Sequence, residues 1–346
     1  MSADALRDAL RRLAAGESLT ADETAAAFGV VMRGDATAAQ TAALLMGLRV
    51  KGETSDEVAG AARALRDAMV PLPAREPAAL LDTCGTGGGR VHTFNISTAA
   101  AIVAAGAGAR VAKHGNRSFS TKCGSADVLE ALGVRIEMPV EAMRAVLEDA
   151  GIVFMFAPLM HPAMRHVGPV RREITIPTMM NLLGPLANPA RAGRQVVGVA
   201  DEGRLPLVAA ALAALGTVHA MVVHGEPGMD EISPMGSTRV AEIREGRIRE
   251  WTLDPRAYGV RLASAEELAG GLPEENARRV MDTLSGRDKG AGRAAVVLNA
   301  AAALYVAGLA SDVAAGMRLA EESIDSGKAG NALERLRRAS APRPAR

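Results

Sequence analysis

Residues 81–98 read LDTCGTGGGRVHTFNIST: a short apolar run, a loop with Gly85, Gly87, Gly88 and Gly89, and a helix start near Ser97. A strand that passes through such a loop into a helix is half of a βαβ unit, so this segment points the chain toward an α/β arrangement. It also points to a chemistry. Glycines let backbone amides come close to an anion, and a helix N-terminus adds unpaired N–H groups and a favourable dipole. Ser97 and Thr98 add hydroxyls for phosphate or a metal ion. The plainer alternative is a flexible strand–helix connection. No Gly-Lys-Ser/Thr follows, which excludes a Walker A loop, and the GxGxxG spacing and distant acid of a dinucleotide fingerprint are missing.

The rest of the chain fits around that unit. Short apolar runs at 80–83, 110–112, 153–156, 196–199 and 221–223 alternate with Ala-rich helical stretches such as 97–107 and 207–215. This alternation predicts a largely parallel sheet. Around Glu245-Gly246, residues 237–253 read as an antiparallel hairpin, and helical stretches follow at about 276–285, 291–308 and 311–327. Upstream, residues 4–70 read as all helix. Thr20 with Glu23 and Thr37 with Gln40 match capping boxes, and Ser55 followed by Val58 marks a third start. Three prolines in 71–77 form a hinge, while 160–192 carries five prolines and no long apolar period. A connection that long is usually functional. The expected fold class is α/β: a small N-terminal helical domain plus a larger α/β domain with a mostly parallel central sheet. The expected boundaries are 1–72 for the helical domain, joined by part of about 165–190, 73–338 for the α/β domain, and 339–346 for a tail.

Composition narrows the partners. The 346 residues carry 40 Lys+Arg against 39 Asp+Glu, and only eight are aromatic. A near-zero balance argues against a general nucleic-acid binder, and eight aromatics against base-stacking platforms. Two cysteines, Cys84 and Cys123, are too few for a disulfide-stapled secreted domain. The start MSADALRDALRR lacks the apolar core of a signal peptide. The longest uncharged stretches, 205–225 and 294–311, are broken by Pro206, Gly216 and two histidines or hold Asn299, and read as buried elements rather than membrane spans. The expectation is a cytoplasmic, reduced protein with no membrane and no nucleic-acid partner.

Three further segments carry chemistry. Residues 113–125, KHGNRSFSTKCGS, combine Lys113, Arg117, Lys122 and His114 with five hydroxyl or amide side chains and no acid. Such a loop suits a polyanionic small molecule, with a solvated basic loop as the alternative. Asp230 and Glu231 follow the apolar run 221–223, where adjacent carboxylates are placed to hold Mg²⁺ beside phosphates; exposed acid pairs in turns are also common. Within 161–189, Arg171 is suited to pair bidentately with a carboxylate or to sit on a helix surface. His161 and His166 read equally well as ordinary surface or core histidines. No GxSxG and no convincing Cys–His pair suggests covalent catalysis.

In order, GTGGG at 85–89, NIST at 95–98, KHGNRS at 113–118, HPAMRHVGPVRRE at 161–173, NLLGPLANP at 181–189 and Asp230-Glu231 resemble the anthranilate phosphoribosyltransferase family. QTAALLMGLRVKGET at 40–54 looks like that family's helical domain. The resemblance implies transfer of the phosphoribosyl group of phosphoribosyl pyrophosphate to the anthranilate nitrogen, with release of pyrophosphate, in tryptophan biosynthesis. It implies a homodimer with the active site at the hinge and magnesium, two ions per site, held through Ser97, Asp230 and Glu231. Phosphoribosyl pyrophosphate would meet Gly85, Gly88, Gly89, Thr93, Asn95, Ile96, Ser97, Thr98, Lys113, His114, Gly115, Asn116, Arg117, Ser118, Phe119, Ser120, Thr121 and Ser125. Anthranilate would meet Gly85, Asn116 and Arg171, with His114, His161 and Pro185 lining its path. Lys113, Asn116 and Arg171 take the catalytic roles. One departure stands out: the family's GTGGD aspartate is Gly89 here, which either relieves repulsion near a polyphosphate or removes a contact to ribose or metal-bound water. Two other readings compete. A pyrimidine nucleoside phosphorylase shares the architecture but not KHGNRS and NLLGP. A divergent nucleic-acid-binding relative would show a basic excess and eroded metal acids.

Overall fold

The structure, a computed structural model, describes residues 4–118 and 122–342. Phe119, Ser120 and Thr121, expected at the substrate, therefore lie outside the described residues, as does the end of the tail from 343.

Four helices open the chain: α1 (Asp4–Ala14), α2 (Ala21–Arg33), α3 (Ala38–Lys51) and α4 (Ser55–Asp67). The last three start on reciprocal Thr-x-x-Glu/Gln caps, in which the hydroxyl takes the third helical amide and the acid or amide returns to the cap. The third cap is Thr54 with Glu57, one residue before the expected Ser55, because Glu57 and not Val58 can reach back. Glu57 is fully buried, and it also accepts the Leu19 amide at 2.9 Å and Lys51 Nζ at 3.0 Å, tying α4 to two neighbours.

The α/β part runs β1 (Leu81–Gly85), α5 (Ile96–Gly106), β2 (Val111–Gly115), α6 (Ser125–Ala131), α7 (Val140–Ala150), β3 (Ile152–Phe156), α8 (Ala157–Met160), α9 (Met164–Ile174), α10 (Met180–Leu186), β4 (Arg194–Gly198), α11 (Leu205–Ala214) and β5 (His219–Gly225). The hairpin β6 (Thr238–Arg244) and β7 (Arg247–Leu253) follows, then α12 (Ala265–Leu268), α13 (Pro273–Leu284), α14 (Ala291–Val306), α15 (Val313–Asp325) and α16 (Lys328–Ser340). The seven strands form one sheet in the order β3-β2-β1-β4-β5-β6-β7, parallel from β3 to β5 and antiparallel through the hairpin. The hairpin turns on Glu245 and Gly246, both at positive φ, the conformation a two-residue turn needs to match strand twist.

Alternate strand residues feed two cores. Met221 and Val223 join the core beneath α5, α14 and α16, whereas Ala220 and Val222 join the one shared with α11 and the N-terminal helices. Into this second core the proline-rich segment sends Val167 of α9 and Leu183 of α10, and these helices pack on α2, α3 and α4. The N-terminal bundle is thus completed by residues more than a hundred positions downstream. At the C-terminal end, α16 extends two residues past the expected boundary at 338. Ser340 is buried, and its hydroxyl accepts the Arg135 amide at 3.2 Å. Among the described residues no helix is long and apolar enough to cross a membrane.

Candidate active site

Chain reversal at the C-terminal edge of a parallel sheet gathers the loops that follow the strands, and there the predicted segments meet. The loop after β1 turns through Gly87 and Gly88, both at positive φ. Its Gly87 amide donates to Asp230 Oδ2 at 2.9 Å. Gly85 has no room for a side chain, since a Cβ would lie 2.6 Å from the same oxygen. On the next strand a Cβ at Gly198 would lie 1.7 Å from the Asp230 carbonyl. Two glycines on adjacent strands therefore make the recess into which the acid pair packs. Asn299 of α14 holds that turn from below, its side chain exchanging two 2.9 Å hydrogen bonds with the Ile232 backbone.

Helix α5 starts at Ile96 after Asn95, whose side chain makes no cap bond. Instead the Ser97 amide donates to Glu231 Oε1 at 3.0 Å. The Asn95 side chain turns outward, donating to Cys123 O at 3.3 Å and accepting from Asn276 Nδ2 at 2.9 Å. Both acids thus reach donors that the sequence assigned to phosphate. Each carboxyl holds its proton more strongly than usual, Asp230 because of burial and Glu231 because of burial and then its acidic neighbour. Such a pair has an unmet demand for positive charge. Among the described residues no group of three or more His, Cys, Asp or Glu is placed to hold a metal ion by itself. A carboxylate pair suits Mg²⁺, which is commonly held by one or two carboxylates together with substrate phosphates and waters.

On β2, Lys113 is buried and its Nζ donates to the carbonyl of Thr83. His114 is also buried, with Nδ1 3.3 Å from Gly184 O and its ring 4.9 Å from that of His161. Burial drives both imidazoles toward the neutral form, His114 to about 3 and His161 to about 4. Pro185, buried in α10, directly follows Gly184, whose carbonyl lies beside His114. Arg171 of α9 has no ion pair or hydrogen bond from its guanidinium among the described residues, and burial weakens its hold on its proton.

Other predicted residues are differently engaged. Asn116 Oδ1 accepts the Arg117 amide at 2.8 Å, and its carbonyl accepts Ser125 Oγ at 3.2 Å. Arg117 pairs with Asp127 at 2.8 Å and Glu130 at 2.5 Å, so the acids missing from 113–125 are supplied by α6 one turn on. The Ser118 amide donates to Asp127 Oδ2 at 3.3 Å, next to that pair. Gly115 ends β2, where a Cβ would meet Ser125 Oγ at 2.2 Å. Thr93 forms an isolated bridge with Ala269, and Ile96 and Thr98 are buried in α5, the Thr98 hydroxyl without a partner among the described residues. At Gly89 a Cβ would lie 3.2 Å from Asp230 Oδ1, so the family's aspartate would stand beside the acid pair. Cys84 and Cys123 are free thiols whose protons are held more tightly through burial, Cys123 to about 11.

Sequence reasoning missed Asp82, Asn188, Asn276 and Asn299. The first two sit in quoted segments, but a buried amide or acid carries no periodic signal. It also missed a cavity of about 620 Å³ on the β4 side of the glycine loop, bordered by Arg49, Arg90, Thr178, Arg204 and His224.

Known proteins share the fold over nearly the whole chain. The chain matches the helical bundle domain of the glycosyl transferase family over residues 7–69 and the a/b domain over residues 77–330. It is 51% identical over 335 residues to the anthranilate phosphoribosyltransferase of Rubrobacter xylanophilus, covering 97% of each chain. The crystal structure of anthranilate phosphoribosyltransferase from Thermus thermophilus superposes with a TM-score of 0.91 at 44% identity, covering 96% of this chain and 99% of that one. The Saccharomyces cerevisiae enzyme in complex with PRPP and Mg superposes with a TM-score of 0.89 at 28% identity, covering 98% of each chain.

Proposed function

Since this chain belongs to the anthranilate phosphoribosyltransferase family of glycosyl transferases, we infer that it joins the nitrogen of anthranilate to C1 of phosphoribosyl pyrophosphate, the transfer used in tryptophan biosynthesis. The N–C1 bond forms as the C1–O bond breaks, pyrophosphate carries away the electron pair, and the amine loses a proton. One observation carries the assignment of the site: Asp230 and Glu231 converge on Gly87 and Ser97, the two amide donors best placed for an anion.

The residue roles follow from charge development. As the bond to the leaving group lengthens, the ribose gains positive and the diphosphate negative charge. Lys113 and those amides of the glycine loop and the α5 start that Asp230 and Glu231 leave open are the groups that stabilise the departing anion, by fixed dipoles and charge rather than by covalent chemistry. Asp230 and Glu231, with Ser97, are the residues that hold magnesium. The metal, when bound, neutralises diphosphate charge. Two ions per site is supported by the separation of duties, one carboxylate at the glycine loop and the other at the helix start. Arg171, whose guanidinium has no partner among the described residues, holds the anthranilate carboxylate, and Asn116 orients its amine. His114, His161 and Pro185 give the ring an uncharged wall. An aromatic amine is a weak base, so no strong general base is required, and the neutral histidines agree with that.

A homodimer and a cytoplasmic setting, in which Cys84 and Cys123 stay reduced, complete the reading. The family resemblance supports the homodimer and the low cysteine count the reduced setting; sedimentation velocity tests the first. The function itself is tested by mixing the protein with anthranilate, phosphoribosyl pyrophosphate and Mg²⁺ and following anthranilate fluorescence. Steady loss is expected, and no loss in any ordinary buffer overturns the inference.

A further inference from the structure

Parallel strands are held by evenly spaced, slanted bonds, so a ladder once begun runs on while both strands last. β1 and β2 begin one: Leu81 pairs with Val111, and the Leu81 amide donates to Arg110 O at 2.9 Å. It stops there, although β1 pairs with β4 through Gly85 and β2 pairs with β3 through Gly115. Because strand residues alternate in the direction they face, continued pairing would use Thr83 O on β1 with Ala112 O and the His114 amide on β2.

Each of those three groups is taken by a side chain instead. Asn188 Nδ2 donates to Ala112 O at 2.9 Å, the His114 amide donates to Asp82 Oδ1 at 3.1 Å, and Lys113 Nζ donates to Thr83 O. Asn188 Nδ2 also donates to Asp82 Oδ2 at 2.8 Å, while Asn188 Oδ1 is fixed by the Ala190 amide at 2.9 Å. Asp82 is wholly buried and Asn188 nearly so. Burial makes the Asp82 carboxyl hold its proton more strongly than usual, and the nearby charge of Lys113, Asn188 and the His114 amide work against that.

We propose that Asp82 is a positioning residue for the transfer: with Asn188 it wedges β1 from β2 at the edge of the sheet and seats Lys113 in the resulting notch. The proposal rests on the reading of the glycine loop and KHGNRS segment as the phosphoribosyl pyrophosphate site. A closed ladder would draw the two strand ends to about 4.8 Å and bring together the loops they carry. The wedge keeps those loops apart and leaves Lys113 between them, within electrostatic reach of both Asp82 and Glu231. The same asparagine anchors the turn after α10, so the wall bearing Pro185 is tied to the notch.

Asp82→Asn tests this. It keeps the size but replaces the carboxylate oxygen facing His114 by a weaker amide acceptor and sets an amide donor against the Asn188 donor, so the hold on both partners loosens. The expected result is a fall of about 10- to 100-fold in kcat/KM for phosphoribosyl pyrophosphate, the usual scale for a residue that supports a contacting one. The anthranilate KM should stay within twofold, and hydrogen exchange at the His114 amide should quicken at least tenfold. Asn188→Ala, which spares the Asp82–His114 bond, should move the same quantities less. A folded Asp82→Asn protein whose phosphoribosyl pyrophosphate kinetics stay within twofold of wild type overturns the proposal, as does unchanged exchange at His114. If Asp82→Asn does not fold, Asn188→Ala decides, and wild-type kinetics there refute the wedge. Failure of the functional reading looks different: wild-type protein would not turn over anthranilate at all, while His114 exchange would still report on the notch.

Discussion

Gly85→Ala places one methyl group directly against the carboxylate of Asp230. The added Cβ would lie 2.6 Å from Asp230 Oδ2, where ordinary contact begins at 3.4 Å, so about 0.8 Å must be recovered. Asp230 cannot simply withdraw, because its carbonyl already presses on Gly198 and its turn is held by Asn299. The glycine loop must therefore move, and with it the Gly87 amide that donates to the same carboxylate. Forcing an extra carbon into a packed site costs about 1–3 kcal/mol, so the variant should still fold, with a Tm lower by several degrees. Activity should suffer more, because misplacing a positioned group by about 1 Å costs on the order of 100-fold. Anthranilate fluorescence, followed across phosphoribosyl pyrophosphate and Mg²⁺ titrations, should show kcat/KM for the sugar phosphate down about 10- to 100-fold and half-saturation by Mg²⁺ shifted upward. A folded variant within twofold of wild type on both axes would refute the claim that Gly85 exists to admit Asp230.

Arg171→Ala should raise the KM for anthranilate far more than that for phosphoribosyl pyrophosphate; an equal rise in both would make Arg171 a structural residue. Asp230→Asn with Glu231→Gln keeps oxygen acceptors for the Gly87 and Ser97 amides and removes two ionisable carboxyls whose charged forms burial disfavours. This variant should melt no lower than wild type near neutral pH yet lose its Mg²⁺-dependent turnover, and unchanged Mg²⁺ dependence would contradict the metal assignment. The neutral histidines set a third test. His114 and His161 titrate near 3 and 4 when folded against about 6.5 when unfolded. The unfolded chain therefore binds more protons as pH falls below 6.5, and stability is lost toward pH 4 at up to about 1.4 kcal/mol per pH unit for each histidine. The raised carboxyls of Asp230 and Glu231 have the opposite sign, costing stability as pH rises through their folded values. Urea unfolding of wild type and of His114→Gln/His161→Gln across pH 4–7 isolates the histidine part. The variant's curve should be flatter below 6.5, and parallel curves would show that the rings are not held neutral.

The readable features of this sequence were those with a local signature. Threonine caps, the glycine loop, the alternating apolar runs and the Glu245-Gly246 turn each follow from chemistry within a few residues, and each corresponds to an element of the fold. The cap at Thr54 differed by one position because the reciprocal partner, Glu57, decides which hydroxyl is used. Helices α7 and α16 were not expected, although each buries residues at helical spacing, Met143, Val146, Leu147 and Ala150 in α7 and Ala329, Ala332, Leu333 and Leu336 in α16. At the site, the residue types were legible and their partnerships were not. Arg117 reads as a free cation until α6 folds back with Asp127 and Glu130. Glu231 reads as a metal ligand, yet it also caps α5 from 134 residues away. Asp82 in LDTCG looks like one polar residue in a strand, and its meaning depends on Asn188, more than a hundred residues downstream. Such long-range pairs leave no trace in spacing or periodicity.

One set of residues, in this reading, binds a diphosphate with magnesium and delivers its sugar to an aromatic amine. The most direct measurement of that coupling is a stoichiometry: anthranilate consumed, by fluorescence, against pyrophosphate released, by phosphorus NMR, with and without Mg²⁺. One pyrophosphate per anthranilate, with both signals abolished by chelating the metal, is the predicted result. Pyrophosphate released without loss of anthranilate, or transfer that continues without the metal, would contradict it.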